Sequence, residues 1–328
     1  MALLDKLRLS HEGNMPPLSG ATAWLNSDPL TAADLEGHVV LIDFWTYTCI
    51  NWIRTAPYRR AWHERYRDDG LIVIGVHTPE FPFERDVDSI RVAIEEREIA
   101  YPVAVDSDSA IWDAFANRFW PALYVADAEG PIRFHRFGEE GYDESERVIQ
   151  ELLGVPRSRE DDLVVVEPEG VEAPADWDTL QSPETYLGAE RAERLASRWG
   201  GAGDERRSYT TPTSLRLNHW ALAGDWTIGT KAARLNDAGG RLTYRFHARD
   251  VNLVMGPSRG APPVRFRVRI DGGPPGAARG ADVDEGGDGI AADRRLFQLV
   301  RQPGNVDERT FEITFLDPAV ETYVFTFG

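Results

Sequence analysis

The fold is decided by the stretch Val39-Val-Leu-Ile-Asp-Phe-Trp-Thr-Tyr-Thr-Cys49-Ile-Asn-Trp52. Its first seven residues form an apolar run with one aspartate, which is typical of a strand covered on both faces of a parallel sheet. A tight turn follows and carries the only cysteine of the chain, Cys49. Helical spacing of large side chains then begins, so Cys49 is expected at a helix N-terminus, where the dipole and free N–H groups stabilise a thiolate. The stretch predicts a nucleophilic thiol at the end of a buried strand.

The segments around this stretch alternate between strand and helix patterns. The predicted strands are 39–45, 71–76, 101–105, 122–127 and 132–137, and the predicted helices are 52–68, 87–98, 110–116 and 145–153. This alternation is that of an α/β domain. We assign residues 1–20 to an irregular lead-in and residues 21–155 to the domain.

In the C-terminal part of the chain, the spacing of apolar residues changes from the helical period to a period of two residues. Residues 156–205 are acidic and rich in proline, and we predict a linker with a short helix after Pro183. Alternating apolar residues recur from residue 206 onward, as in Val264-Phe266-Val268-Ile270. Residues 206–328 are therefore predicted to form an all-β jelly-roll sandwich.

The composition limits the classes of function. The chain has 328 residues, of which 42% are hydrophobic, enough for two globular cores. Its net charge of −18 argues against binding to nucleic acid or to an anionic membrane surface. The N-terminus lacks the pattern of a secretory signal, and no stretch approaches the roughly 20 apolar residues of a membrane span. We therefore expect a soluble, cytoplasmic protein.

The cysteine and histidine content bears on metals and disulfides. One cysteine excludes an internal disulfide and a cysteine-based zinc cage. The seven histidines show no metal-binding spacing. We predict neither a metal nor a cofactor.

Several spaced motifs resemble one family. They are Asp43-Phe-Trp-x-x-x-Cys49, Gly75-Val-His-Thr-Pro-Glu-Phe81, Asn117-Arg-Phe-Trp-Pro121 and Phe134-His-Arg-Phe-Gly-Glu-Glu-Gly-Tyr142. Together they resemble the redoxin segment of the DipZ type, a branch of the TlpA-like thioredoxins. The resemblance continues more loosely into the β domain, which in that family is similar to a carbohydrate-binding module. It implies a thioredoxin-like domain followed by a jelly roll, and relatives of this type are extracytoplasmic.

The resemblance also implies roles for individual residues. Cys49 matches the attacking cysteine, and Asp43 matches the buried aspartate that accepts a proton from the family's second cysteine. Pro121 is expected in the cis form, which would expose the backbone of Trp120 for pairing with an extended substrate strand. Glu80 is either a carboxylate facing the same cleft or a solvated loop residue.

Position 52 departs from the family, because the second cysteine is replaced by Trp52. This tryptophan either covers Cys49 at the substrate site or fills the space of a lost site. A mixed disulfide on Cys49 would then need an external thiol, or a thiol-reducing partner protein, for its release. The leading hypothesis is a monothiol, thioredoxin-like redox protein. Asp43 has lost the group it would act on, and a structural carboxylate is an equal interpretation of it.

Two alternatives to this hypothesis stay open. One is a redox-inactive thioredoxin-fold protein that binds an extended peptide or a glycan, with an incidental cysteine. The other is a one-cysteine peroxidase, since Thr46-x-x-Cys49 matches half of the P-x-x-x-T-x-x-C signature. The proline position of that signature is Ile42, which weighs against a peroxidase.

A glycan site would need a platform in the β domain. Arg265, Arg267 and Arg269 share one face of a predicted strand. With Trp220, Trp226, Tyr244 or His247 they form an arginine–aromatic platform, or else they are an ordinary solvent-facing surface.

Overall fold

The computed structural model describes residues 9–155, 163–197 and 205–328. The chain divides into two compact units, Met1–Ala173 and Pro174–Gly328. The boundary falls inside the segment 156–205, the predicted linker. Within the described residues, no helix has the length and apolar character needed to cross a membrane.

The first unit is a mixed sheet with helices. Its strands are β1 (Ala23–Leu25), β2 (Val39–Trp45), β3 (Leu71–His77), β4 (Val103–Val105), β5 (Ala122–Ala126) and β6 (Ile132–Phe137). Its helices are α1 (Ala32–Leu35), α2 (Ile50–Tyr66), α3 (Val87–Glu96), α4 (Ala110–Ala114) and α5 (Tyr142–Leu153). The sheet order is β1-β4-β3-β2-β5-β6, with β2 parallel to β3 and antiparallel to β5. The predicted thioredoxin-like α/β fold is confirmed.

Strand β2 lies inside the sheet, and all seven of its residues are buried. Because side chains alternate along a strand, its two faces differ. Val40, Ile42 and Phe44 join one apolar cluster. Asp43 lies on the other face, where it is hydrogen-bonded to side chains of α2. The single aspartate of the apolar run thus faces the helix that Cys49 begins.

Helix α2 starts directly after Cys49 and runs for 17 residues. Pro57 lies inside it and does not end it. The helix is buried along much of its length, including the two charged residues Arg54 and Arg59. Buried charges of this kind need partners, and both arginines have carboxylate partners.

The described part of the predicted lead-in, residues 9–20, lies alongside the β5–β6 hairpin of the first unit. The Glu12 N–H donates to the Ile132 carbonyl at 2.9 Å, and the Ile132 N–H donates to the Gly13 carbonyl at 2.8 Å. Leu18 is buried in the same apolar cluster as β2. Backbone hydrogen bonds therefore fasten this segment to β6, whereas residues 1–8 lie outside the described residues.

The second unit is all β. Its strands are β7 (Thr185–Tyr186), β8 (Arg206–Tyr209), β9 (Trp220–Ile228), β10 (Ala233–Leu235), β11 (Arg241–His247), β12 (Asp250–Pro257), β13 (Val264–Ile270), β14 (Asp288–Ala291), β15 (Arg295–Arg301), β16 (Glu308–Phe315) and β17 (Val320–Phe327). The order is β14-β13-β16-β11-β9-β10-β17-β12-β15, with β7 on β17 and β8 on β9. All the pairs are antiparallel.

Strand β9 joins the two layers of this unit. Residues 220–223 pair with β11, and residues 226–228 pair with β10. Gly224 lies between them with φ +97°, a backbone region that favours glycine. A Cβ at position 224 would lie only 2.9 Å from the Gly240 Cα, so this close approach also requires a residue without a side chain. The predicted all-β sandwich is confirmed, with one strand shared by both layers.

The prediction of a short helix after Pro183 is wrong. Thr185–Tyr186 form β7 instead, and the Leu187 N–H donates to the Tyr323 carbonyl at 2.8 Å. Pairing with β17 satisfies backbone groups that a helix would have satisfied internally. Residues 156–162 and 198–204 of the same predicted segment lie outside the described residues.

The predicted arginine–aromatic glycan platform is wrong for three of its four aromatic candidates. The fourth, His247, is half-buried, and its Nδ1 lies 2.9 Å from the Thr179 carbonyl. The rings of Trp220, Trp226 and Tyr244 are fully buried in the core of the sandwich, so they present no face to a sugar. Arg265 and Arg267 are exposed but form ion pairs, with Asp317 at 2.8 Å and with Asp288 at 2.6 Å.

Candidate active site

Cys49 is the N-cap residue of α2 and lies at the C-terminal end of β2. Its N–H donates to the Thr46 carbonyl at 3.1 Å, which closes the turn between strand and helix. The side chain is partly exposed. The thiol therefore meets both solvent and the positive end of the helix dipole, as the sequence predicted.

The loop between α4 and β5 approaches the thiol. The Sγ of Cys49 lies 3.8 Å from the carbonyl oxygen of Trp120, and the Trp120–Pro121 peptide bond is cis. Pro121 is buried and Trp120 is half-buried, with its ring packed against Trp112 at 4.2 Å between centroids. The structure thus brings together three of the predicted site residues, Cys49, Trp120 and Pro121.

Asp43 and Trp52 form a buried pair beneath the turn. The Nε1–H of Trp52 donates to Oδ2 of Asp43 at 2.8 Å, and the Nε–H of Arg59 donates to Oδ1 at 3.1 Å. Burial raises the pKa of Asp43, while the charge of Arg59 and the hydrogen bond from Trp52 oppose the shift. Both carboxylate oxygens therefore have donors within the protein interior.

This placement corrects the assignment of Trp52 to substrate binding. The side chain has no exposed surface, and its ring stacks on Trp45 with centroids 4.3 Å apart. A fully buried indole neither covers Cys49 from solvent nor touches a substrate. Trp52 instead occupies the interior next to the aspartate that, in the family, serves the second cysteine.

Sequence reasoning missed Arg59. Trp52 and Arg59 are seven residues apart, two helical turns, and so lie on the same face of α2. That spacing was a usable signal, because an aspartate in a buried strand needs a cation or donors from the helix that covers it.

Sequence reasoning also missed Glu84, which is fully buried in the short 3-10 helix Pro82–Arg85 that follows β3 and its loop. Its Oε1 accepts a hydrogen bond from the hydroxyl of Thr48 at 2.5 Å, and Thr48 immediately precedes Cys49. Its Oε2 accepts from the backbone N–H groups of Glu80 at 2.7 Å and Phe81 at 2.8 Å. Burial raises the pKa of Glu84 to about 7, against the opposing effect of these hydrogen bonds.

Glu80 is half-buried, and its backbone is held by Glu84. Glu80 also adds to the raised pKa of Glu84 through like-charge repulsion. The structure therefore places Glu80 in the loop that Glu84 links to the turn of Cys49.

A second buried carboxyl lies in the loop after β6. Glu139 accepts a hydrogen bond from Arg54 of α2 at 3.1 Å, and both side chains are almost fully buried. Burial raises the pKa of Glu139 to about 7, although Arg54 opposes the shift. Within the described residues, no group of three or more His, Cys, Asp or Glu side chains is placed to hold a metal ion.

Comparisons with known proteins match this architecture. The model of the AhpC/TSA family matches residues 17–135, and the model described as a thioredoxin-like C-terminal domain matches residues 182–328. Thiol-disulfide oxidoreductase YkuV of Bacillus subtilis is 35% identical over 140 residues, which cover 42% of this chain and 93% of that protein. The chain belongs to the thioredoxin-like family.

Other thioredoxin-like relatives extend the match. Protein DipZ of Mycobacterium tuberculosis is 38% identical over 259 residues, which cover 74% of this chain. The chain spans 35% of the length of that relative. Among solved structures, a thioredoxin-like protein in the oxidized form is 34% identical, with a TM-score of 0.40, and the match covers 43% of this chain and 95% of that one.

The site keeps part of the thioredoxin-like arrangement and lacks another part. It has a thiol at a helix N-terminus beside a cis-proline loop. At position 52, where the family has its second thiol, it has a buried tryptophan bound to Asp43. Such a site can supply one nucleophilic sulfur, but it cannot form a disulfide within the chain.

Proposed function

We propose that the chain is a monothiol thiol–disulfide exchange protein with Cys49 as the nucleophile. The Cys49 thiolate attacks one sulfur of a disulfide, and a mixed disulfide forms while the other sulfur leaves as a thiolate. A second, external thiolate then attacks the mixed disulfide and releases Cys49 as a thiolate. The exchange is balanced, because each step breaks one S–S bond and forms one.

The observation that carries this proposal is the contrast between positions 49 and 52. Cys49 is partly exposed at the start of α2, whereas Trp52 is fully buried and bound to Asp43. The nucleophile is thus retained and the resolving group is replaced. The release step falls to a low-molecular-weight thiol or to a thiol-reducing protein.

The loop at Trp120 supports an extended peptide as the disulfide substrate. Its carbonyl lies 3.8 Å from the sulfur of Cys49. A disulfide-bearing strand that paired with this backbone would bring its sulfur to the thiol. Cys49 and Trp120 then act together, one as nucleophile and the other as backbone docking point.

The test uses the fact that the chain has one thiol, so the unfolded chain is its own control. The native protein is incubated with oxidised glutathione at pH 7, and intact mass spectrometry measures the adduct; Cys49→Ser is the negative control. We expect native Cys49 to react faster than Cys49 in urea, and reduced glutathione to reverse the adduct. A native thiol that reacts more slowly than the unfolded one would refute the proposal and favour a binding protein with an incidental cysteine.

The same protein tests the peroxidase alternative. Hydrogen peroxide replaces the disulfide, and a sulfenic-acid trap replaces the adduct measurement. We expect reaction no faster than that of the unfolded thiol. Faster native oxidation by peroxide than exchange with the disulfide would replace our proposal with the peroxidase.

We also propose a cytoplasmic site of action, because thiol pools that can resolve the mixed disulfide are maintained there. Cell fractionation with an antibody against the chain tests this location. Recovery of the protein only from the extracytoplasmic fraction would refute it.

A further inference from the structure

Glu84 joins two segments that are distant in sequence. One carboxylate oxygen accepts from the hydroxyl of Thr48, in the turn that carries Cys49. The other oxygen accepts from two N–H groups in the loop that carries Glu80.

The surroundings of this carboxylate are unusual for a structural acid. Glu84 is fully buried, and none of the ion pairs among the described residues includes it. Its hydrogen-bond donors include the hydroxyl of Thr48 and the backbone N–H groups of Glu80 and Phe81, all of them neutral. A buried carboxyl without a cation carries a large desolvation cost, and an apolar residue would fill the same space without that cost.

We propose that Glu84 is a positioning residue for Cys49, whose carboxylate fastens the redox turn to the Glu80 loop and so holds the thiol at the cis-proline loop. The inference rests on the proposed thiol chemistry and adds to it a residue that acts through Thr48. Glu84 touches neither the sulfur nor a substrate.

Protonation of Glu84 changes the hydrogen bonds that link the two segments. Oε2 of Glu84 already accepts from two N–H groups, so a proton on this oxygen displaces one of them. A proton on Oε1 removes the negative charge that strengthens the hydrogen bond from Thr48. The charged neighbour is Glu80, on the adjoining loop, and from the redox turn Glu84 meets the neutral hydroxyl of Thr48. Since the pKa of Glu84 is about 7, its carboxylate titrates in the range where thiol exchange is measured.

The consequence is a second pH step in the chemistry of Cys49. The first step is the ionisation of the thiol itself. The second is centred near pH 7, and the reaction per thiolate rises as Glu84 ionises. We expect this rise to be about threefold to tenfold, the effect of one hydrogen bond.

The experiment measures the rate of alkylation of Cys49 by iodoacetamide from pH 5 to 9, in wild type and in Glu84→Gln. Rates are expressed per thiolate, with the thiol ionisation followed by ultraviolet absorbance. Glutamine keeps the size of glutamate but carries no charge, so we expect the step near pH 7 to vanish. Glu139→Gln is the matched control, because Glu139 is also buried with a pKa of about 7 but is bound to Arg54. It should keep the step.

Thr48→Val tests the same link from the other side, should Glu84→Gln not fold. It removes the hydroxyl that lowers the pKa of Glu84. We expect the step to move to higher pH and the upper plateau to fall by about threefold to tenfold.

A profile of Glu84→Gln that overlays the wild-type profile would overturn the inference, as would loss of the step in Glu139→Gln alone. Alkylation needs no disulfide substrate, so these outcomes are independent of the exchange reaction. If the step is present but oxidised glutathione forms no adduct, the proposed function fails while the role of Glu84 stands.

Discussion

The hydrogen bond between Trp52 and Asp43 makes a measurable contribution to the free energy of unfolding. Trp52→Phe keeps an aromatic ring in the interior but removes the Nε1–H that donates to Oδ2 of Asp43 at 2.8 Å. A hydrogen bond to a charged group contributes about 1.5–3 kcal/mol. The smaller ring adds about 1 kcal/mol. We expect the variant to lose about 2.5–4 kcal/mol of unfolding free energy at pH 8.

The chain offers a matched control for this substitution. Trp45 is also fully buried and stacks on Trp52, but its Nε1 has no hydrogen-bond partner among the described residues. Trp45→Phe therefore removes the same ring atoms without removing a hydrogen bond. We expect it to cost about 1 kcal/mol. The difference between the two variants isolates the hydrogen bond to Asp43.

The difference in unfolding free energy between Trp52→Phe and Trp45→Phe should depend on pH. The pKa of Asp43 is raised by burial, and loss of the Trp52 hydrogen bond raises it further. The excess cost of Trp52→Phe should therefore fall as the pH is lowered from 8 to 4 and Asp43 takes up a proton, because a neutral carboxyl accepts a weaker hydrogen bond than a carboxylate.

Urea unfolding followed by circular dichroism at pH 4 and pH 8 measures both variants against wild type. Iodoacetamide reactivity of Cys49 in the folded variants shows that the redox turn is intact. Equal costs for Trp45→Phe and Trp52→Phe at pH 8 would refute the reasoning. So would an excess cost of Trp52→Phe that does not change with pH.

Two further predictions concern buried and strained positions. Burial lowers the pKa of His77 to about 3. Between about pH 6.5 and pH 3 this histidine is therefore protonated in the unfolded state but neutral in the folded state. Wild type should lose stability as the pH falls through this range. Urea unfolding should show His77→Phe gaining about 2 kcal/mol relative to wild type between pH 7.5 and pH 5; no relative gain would contradict a buried, neutral histidine. Gly224→Ala should cost about 1–3 kcal/mol in thermal unfolding, because φ is +97° and the new Cβ meets Gly240. The control Gly239→Ala shares a positive φ but has open space around its Cβ, and it should cost less; an equal loss would refute the steric argument.

Much of the first unit was predictable because its signals are local. The apolar run predicted a strand at 39–45, and the structure has a strand over the same residues. The helix after Cys49 was predicted from its spacing, with ends about two residues from those observed. The cis form of Pro121 came from the family resemblance, because no local pattern distinguishes a cis from a trans proline.

The parts that sequence reasoning missed depend on contacts between distant segments. Glu84 and Thr48 are 36 residues apart, and no periodicity links them. The polar segment after Pro183 has the composition of a short helix, but pairing with β17 decides its conformation. In the sandwich, Trp226 and Tyr244 look like platform residues by type, yet strand alternation and the closing of the two layers turn them inward.

The burial of Trp52 also bears on how such a site can change over time. A tryptophan codon lies one base from a cysteine codon, so a C-x-x-C motif is a short genetic step from this sequence. The physical step is large, because cysteine at position 52 would leave a void beside Trp45 and remove a donor from Asp43. Cavities of this kind cost about 3–5 kcal/mol, a sizeable part of the about 5–15 kcal/mol that keeps a domain folded. The packing around Trp52 thus disfavours a second thiol at this position unless its neighbours change first.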